Sequence, residues 1–169
     1  MNNYFKFQLH LFVFALFLWP THSKAMEFDS STLQIVGQNA SAVHEFKIKL
    51  AVTPEQQERG LMFVNDMPDD EGMLFLFKES GPKSFWMKNT FLPLDMIFIS
   101  DDGTIEHIAA NAKPLSLDPV DSESDALAVL EVNGGLCERM GIKEGDKVLH
   151  SAFKNVSSQL RDTVGASIK

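Results

Sequence analysis

Between Phe85 and Thr90 the chain passes from large apolar side chains, Phe85-Trp86-Met87, to three polar ones, Lys88-Asn89-Thr90. The Lys88 ammonium and the Asn89 amide, with two donors and one acceptor, stand next to an aromatic wall. Such a set can hold an anion or a polar ligand. It also has a structural reading, in which Asn89-Thr90 makes a turn and Lys88 pairs with Asp95 or Glu131. Structural ion pairs outnumber binding sites. Arg59, Asp95, Glu131 and Asp146 complete the polar set. Asp95 lies between Leu94 and Met96, and Glu131 between Leu130 and Val132. A carboxylate flanked by strand apolars either faces solvent or is buried with a partner, because an unpaired buried charge is costly. Two carboxylates facing one cleft support general acid and base chemistry. The candidate ligand-binding residues are therefore Arg59, Trp86, Lys88, Asn89, Asp95 and Glu131.

Other chemistries find less support. There is no Gly-x-Ser-x-Gly elbow and no glycine-rich phosphate loop. Cys137 forms a nucleophilic dyad only if the fold brings His107 or His150 to it. Its setting, after Leu136 in a short helical stretch, fits a small buried hydrophobe better. Met26, Met62, Met67, Met73, Met87, Met96 and Met140 are soft ligands suited to Cu(I), with Trp86-Met87 a conceivable part of such a site. They stand beside Leu, Phe and Ile rather than in Met-x-x-Met runs, which reads as core filling. His44, His107 and His150 have no ligand spacing. The acidic stretches 66–71 and 118–125 do not match a calcium loop. No metal and no cofactor is expected.

The elements that must position these residues are mostly strands. From His44 to Val52 apolar and polar residues alternate, with Phe46, Ile48, Leu50 and Val52 on one face. Thr53-Pro54-Glu55-Gln56 carries an N-cap, a proline at the first helical position and a capping-box partner. A short helix is predicted from Pro54 to Arg59, ended by Gly60. Met73-Leu74-Phe75-Leu76-Phe77 is a continuous apolar strand of the kind buried on both faces. Further strands are predicted at 84–87, 94–100, 104–108, 126–132 and 147–150. Asp101-Asp102-Gly103 marks a hairpin turn. Residues 111–125 read as a loop, and 136–140 as a second short helix. The fold class is α+β, mostly β: a single strand-rich, barrel-like domain with one or two short helices.

The ends read differently. Lys6, the apolar run Leu11–Trp19, Pro20 and Ser23-Lys24-Ala25 have the layout of a secretory signal peptide cleaved after Ala25. The run falls well short of the ~20 apolar residues that a spanning helix needs. Residues 1–25 are thus expected to be removed, 26–43 to form a lead-in with a possible edge strand at 33–36, 44–153 to form the domain, and 154–169 to be a polar tail. The protein is expected to be exported, periplasmic or secreted, with no stable membrane span after cleavage. The formal net charge is −8 over 169 residues. An acidic balance argues against nucleic-acid binding, which needs a basic footprint. A single cysteine excludes an intrachain disulfide framework.

Arg59-Gly60-Leu61-Met62, Gly72-Met73-Leu74-Phe75, Phe85-Trp86-Met87-Lys88-Asn89-Thr90 with Pro93-Leu94-Asp95, Leu130-Glu131-Val132 and Gly145-Asp146 occur in this order. Together they resemble the domain-of-unknown-function family 192 over residues 44–150. The resemblance implies a compact, strand-rich exported domain and no particular reaction. The favoured reading is a non-catalytic module that binds a small molecule or a protein partner near Trp86–Asn89. A small hydrolase or lyase using Asp95 or Glu131 with Lys88 is the alternative, and a soft-metal carrier a weaker one.

Overall fold

The computed structural model describes residues 26–38 and 42–154. The expected signal segment lies outside the described residues, as does the expected polar tail beyond Lys154. Strands β1 (Asp29–Val36) and β2 (Val43–Ala51) are followed by helix α1 (Pro54–Arg59). Then come β3 (Glu71–Gly81), β4 (Ser84–Phe85), β5 (Leu94–Ile99), β6 (Ile105–Ala112) and β7 (Val120–Asp121). Strand β8 (Ala126–Asn133), helix α2 (Leu136–Met140) and β9 (Lys147–Leu149) complete the order. The domain is α+β and mostly β.

Seven strands form one curled sheet in the order β6-β5-β8-β3-β2-β1-β9, and β4 with β7 forms a small second sheet. Among the described strands only β2 and β3 are paired in parallel, which is why a helix-bearing crossover joins them. The sheet's two edges meet at one end. Thr104 bridges Lys147, the Val148 amide donates to the Gly103 carbonyl at 2.7 Å, and the Ile105 amide donates to the Asp146 carbonyl at 2.9 Å. This closure gives the sheet its half-barrel form and covers edge groups that would otherwise be unpaired.

α1 forms where local chemistry demands it. The Gln56 amide donates to Thr53 Oγ1 at 3.2 Å, while Gln56 Oε1 accepts from the Thr53 amide at 3.0 Å. Gly60 ends the helix with φ of 44°. At that position a Cβ would come within 3.1 Å of the Phe75 ring. Both the left-handed backbone and the aromatic neighbour therefore select glycine.

The sheet buries side chains on both faces, as the apolar runs in β3, β5 and β8 require. One face carries Leu33, Ile35, Phe46, Ile48, Leu74, Ile97, Leu130 and Val132, closed by Leu136 and Cys137 of α2. The other carries Met73, Phe75, Met96, Phe98 and Val129, covered by Leu61, Met67 and Met87 from the connecting segments. Strand packing is close enough that a Cβ on Gly72 would meet the Glu131 carbonyl oxygen at 2.7 Å.

Three expectations change. The lead-in is not an edge: β1 runs the full length of β2, with β9 on its other side, and buries Leu33 and Ile35. The strand expected at 84–87 stops at Phe85, and Trp86 is 48% exposed. The Met87 amide there donates to the Ser116 carbonyl at 3.0 Å, which diverts the chain from the sheet. The loop expected at 111–125 contains β7, which pairs with β4.

Candidate functional site

Strand parity decides what the two strand carboxylates do. In β8 and β5 the register sets Met96 opposite Glu131 and Asp95 opposite Val132. Neighbouring residues in a strand point to opposite faces. Asp95 therefore joins the face that α2 closes, and Glu131 joins the Met73–Phe98 face. The two carboxylates do not share a cleft, the condition that paired-carboxylate acid and base chemistry requires.

Asp95 is fully buried and occupied. Its Oδ1 accepts from the Asn111 and Gly135 amides, each at 2.8 Å, and its Oδ2 from the Cys137 amide at 2.9 Å. It ties the first turn of α2, whose opening amides have no side-chain cap of their own, to the end of β6. Burial, and then the Asp95 carboxylate, push the Cys137 thiol well above its ordinary range, which keeps it protonated and a poor nucleophile. Asp146 serves a similar structural end, accepting from the Gln38 and Lys143 amides.

Glu131 is buried without such partners. It is 5% exposed, its register neighbours on both sides are Met73 and Met96, and among the described residues its carboxyl makes no hydrogen bond or ion pair. Desolvation pushes its pKa up from the ordinary 4.5 to about 8. At neutral pH the group is thus mostly a neutral acid, offering one O–H donor.

Glu131 lines a cavity of about 150 Å³ open to the surface. Phe75, Phe77, Phe85 and Met62 make much of its apolar lining, and Arg59, Trp86 and Thr90 also contribute. Phe75 and Phe85 meet edge to face, with ring centroids 5.1 Å apart. At the mouth the Arg59 guanidinium lies 4.9 Å from the centre of the Phe63 ring, and the Lys88 ammonium 5.0 Å from that of Trp86. Neither cation is in an ion pair among the described residues, so Lys88 pairs with neither Asp95 nor Glu131.

Asn89 holds the mouth together. It adopts a left-handed conformation, φ 54°, which asparagine tolerates better than most residues. Its carbonyl accepts from the Phe63 amide at 2.9 Å, and its side-chain amide reaches Met62 Sδ at 3.8 Å. Phe63 and Leu115 are also left-handed, at φ 65° and 62°, and the Leu115 amide donates to the Thr90 carbonyl at 3.1 Å. Bulky residues rarely adopt this conformation, and such strain gathers where surrounding structure over-determines it.

Of the six sequence candidates, Arg59, Trp86 and Glu131 line one cavity. Lys88 and Asn89 flank its mouth, and Asp95 stands behind the sheet. The sequence of this chain matches the profile of domain-of-unknown-function family 192, described as "Uncharacterized ACR", over residues 35–150. The chain belongs to family 192. No curated protein matches this family-192 chain at a significant level. Two solved structures resemble it. One, from Sinorhizobium meliloti 1021 and described as a candidate transcription regulator, is 40% identical with a TM-score of 0.73, covering 76% of this chain and 98% of its own. The other, of unknown function, from Novosphingobium aromaticivorans DSM 12444, is 44% identical with a TM-score of 0.69, covering 72% of this chain and 85% of its own.

The aromatic lining of the family-192 pocket escaped sequence reasoning. Phe75, Phe77 and Phe85 read as core, and only the register across β3 and β8 reveals that Phe75 shares a face with Glu131. One signal was available. Glu131 interrupts a run, Ala126–Val132, otherwise apolar enough to be buried on both faces, so its carboxyl had to be buried whichever way it pointed.

Proposed function

We propose that this family-192 domain is an exported, non-catalytic module that binds a small molecule in the pocket walled by Glu131, Phe75, Phe85 and Trp86. The observation that carries this reading is the Glu131 carboxyl: buried, within reach of the pocket, and without a hydrogen-bonding partner among the described residues. Leaving a buried polar group unsatisfied costs ~1–3 kcal/mol, and a bound ligand removes that cost. Aromatic side chains converging with a few polar groups in a concave site, here Phe75, Phe77 and Phe85 with Arg59, Thr90 and Glu131, suit capture of a small molecule. A cavity of ~150 Å³ is known to admit a molecule of benzene's size.

Catalysis by paired carboxylates is disfavoured because Asp95 is turned to the other face and already accepts three amides. The acidic balance of the chain favours a small molecule over nucleic acid. Export rests on the Lys6, Leu11–Trp19 and Ser23-Lys24-Ala25 pattern. Intact mass of protein recovered from the periplasm or medium should lack residues 1–25.

Binding is tested by protein-observed NMR of the full chain titrated with small aromatic and aliphatic fragments. Fragments that bind should shift the Trp86 indole resonance, assigned by its loss in Trp86→Phe. A broad fragment set that leaves this resonance unmoved would refute a small-molecule pocket here.

A further inference from the structure

We infer that the pocket's ligand is a small monocarboxylate with an apolar body, its carboxylate accepting a hydrogen bond from protonated Glu131 while its body packs on Phe75 and Phe85. This deepens the binding reading above and rests on it. Geometry sets the class. The cavity, about 150 Å³, is of mixed lining: Phe75, Phe77, Phe85 and Met62 offer an apolar part on which a body of few heavy atoms packs, and polar groups including Arg59, Thr90 and Glu131 offer the rest. Its polar end must meet Glu131, the buried carboxyl in the wall. Arg59, the cation among the lining residues, is exposed and makes no ion pair with Glu131, so the buried carboxyl is the neutral acid, as its raised pKa reflects, and a neutral acid needs an acceptor. A carboxylate is the strong acceptor for such a donor, and the shared proton makes a charge-assisted bond.

The mouth agrees in sign. Arg59 and Lys88 are cations without an ion-pair partner among the described residues, and they draw an anion inward while opposing an ammonium ligand. Around Glu131, β3 and β5 present Met73 and Met96, and β4 presents Phe85 and Ser84. The segment after β4 presents Trp86 and Thr90, and α1 brings Glu58 and Arg59, both exposed. Among the described lining residues, Glu58 is thus the one other carboxylate, and it sits at the rim beside Arg59 rather than in the apolar interior.

Binding should therefore require the proton on Glu131. As pH rises through the range where Glu131 ionises, two carboxylates would face each other and affinity must fall. The test uses benzoate and butyrate as acid probes, with benzylamine and benzamide as cationic and neutral counterparts of one shape. Each is titrated by NMR into the full-length protein at about pH 6 and about pH 9, on either side of the Glu131 transition. Benzoate and butyrate should bind at the lower pH and weaken roughly tenfold or more at the higher. Glu131→Gln keeps a donor that cannot ionise, so it should retain acid binding and lose most of the pH dependence. Glu131→Leu, which also removes a buried polar group and so should fold, should weaken acid binding roughly tenfold at the lower pH. Benzylamine binding more tightly than benzoate, or gaining affinity as pH rises, would overturn the carboxylate class while leaving the pocket standing. So would benzamide binding as well as benzoate at both pH values. If no probe of any charge moves the Trp86 indole, the pocket reading itself fails.

Discussion

The Glu131→Gln substitution isolates what the unpartnered carboxyl does to stability. In the folded chain Glu131 takes up its proton at about pH 8, against 4.5 ordinarily, because burial penalises its charged form. Below pH 4.5 folded and unfolded chains both carry the proton, and the group is neutral to folding. Between 4.5 and about 8 the unfolded chain has released the proton and the folded chain has kept it. The folded state binds more protons there, so stability falls as pH rises. Above about 8 both states are ionised and the loss levels off. At ~1.4 kcal/mol per pH unit, this interval gives a ceiling of roughly 5 kcal/mol. Water entering the open cavity relaxes part of it, so a loss of about 2–4 kcal/mol is expected.

Glutamine has nearly the same shape and no charge to bury. Urea unfolding followed by circular dichroism should therefore find the two proteins within about 1 kcal/mol of each other near pH 5. Near pH 9 the variant should be the more stable by about 2–4 kcal/mol. The comparison cancels every other titrating group, which both proteins share. The m-value should not change, since neither the fold nor the exposed surface differs. Two stability curves that run parallel from pH 5 to 9 would show that Glu131 is solvated or paired, and the reasoning from its burial would be wrong.

Four further outcomes follow from the geometry. Asp95→Asn should cost about 2–4 kcal/mol in urea unfolding, because one amide oxygen cannot replace a carboxylate accepting three backbone amides; Lys88→Met should cost little, and the double variant should be additive, since the two residues share no contact. Trp86→Ala should cost about 1–2 kcal/mol, less than the ~3–5 of a core tryptophan, because half of the side chain already faces solvent; thermal or chemical denaturation reads this directly. Gly72→Ala should cost about 1–3 kcal/mol, as the new methyl would press the Glu131 carbonyl and force β3 from β8. His150, whose pKa is lowered by burial, accepts from the Ala152 amide and lies 3.0 Å from Ser31 Oγ, so the unfolded chain binds more protons there in acid; stability should drop as pH falls below about 6.5, and His150→Gln should flatten that limb.

How far the sequence reveals these features depends on the range of the interaction that fixes each one. α1 was legible to the residue because its determinants, Thr53, Pro54, Gln56 and Gly60, lie within a single stretch. The apolar runs of β3, β5 and β8 were legible as buried strands because hydrophobicity alone marks them. Trp86 was misread for the same reason. Phe85-Trp86-Met87 has a strand's composition, but the partner that bends it away, Ser116, is a distant loop residue. β1 was underestimated because its burial depends on β9, more than a hundred residues further on, arriving to cover its outer side.

The two carboxylates show where sequence reading stops and what the structure adds. Leu94-Asp95-Met96 and Leu130-Glu131-Val132 are near equivalents: an acid between two apolars in a strand buried on both sides. Each allows a carboxyl that faces solvent or one that is buried with a partner, and nothing in either tripeptide says which face it takes. The pairing of β5 with β8 settles that by a register in which Asp95 lies opposite Val132 and Glu131 opposite Met96. A one-residue slip would exchange the faces of a whole strand. With the register set, Asp95 meets the amides of α2 and of Asn111, and its polarity is fully used in holding the fold. Glu131 meets methionines and a cavity. A fold gains nothing from a carboxyl placed so, and a Leu or Met would fill the position better. That contrast between two nearly equivalent tripeptides is the observation on which the proposed binding role of Glu131 rests.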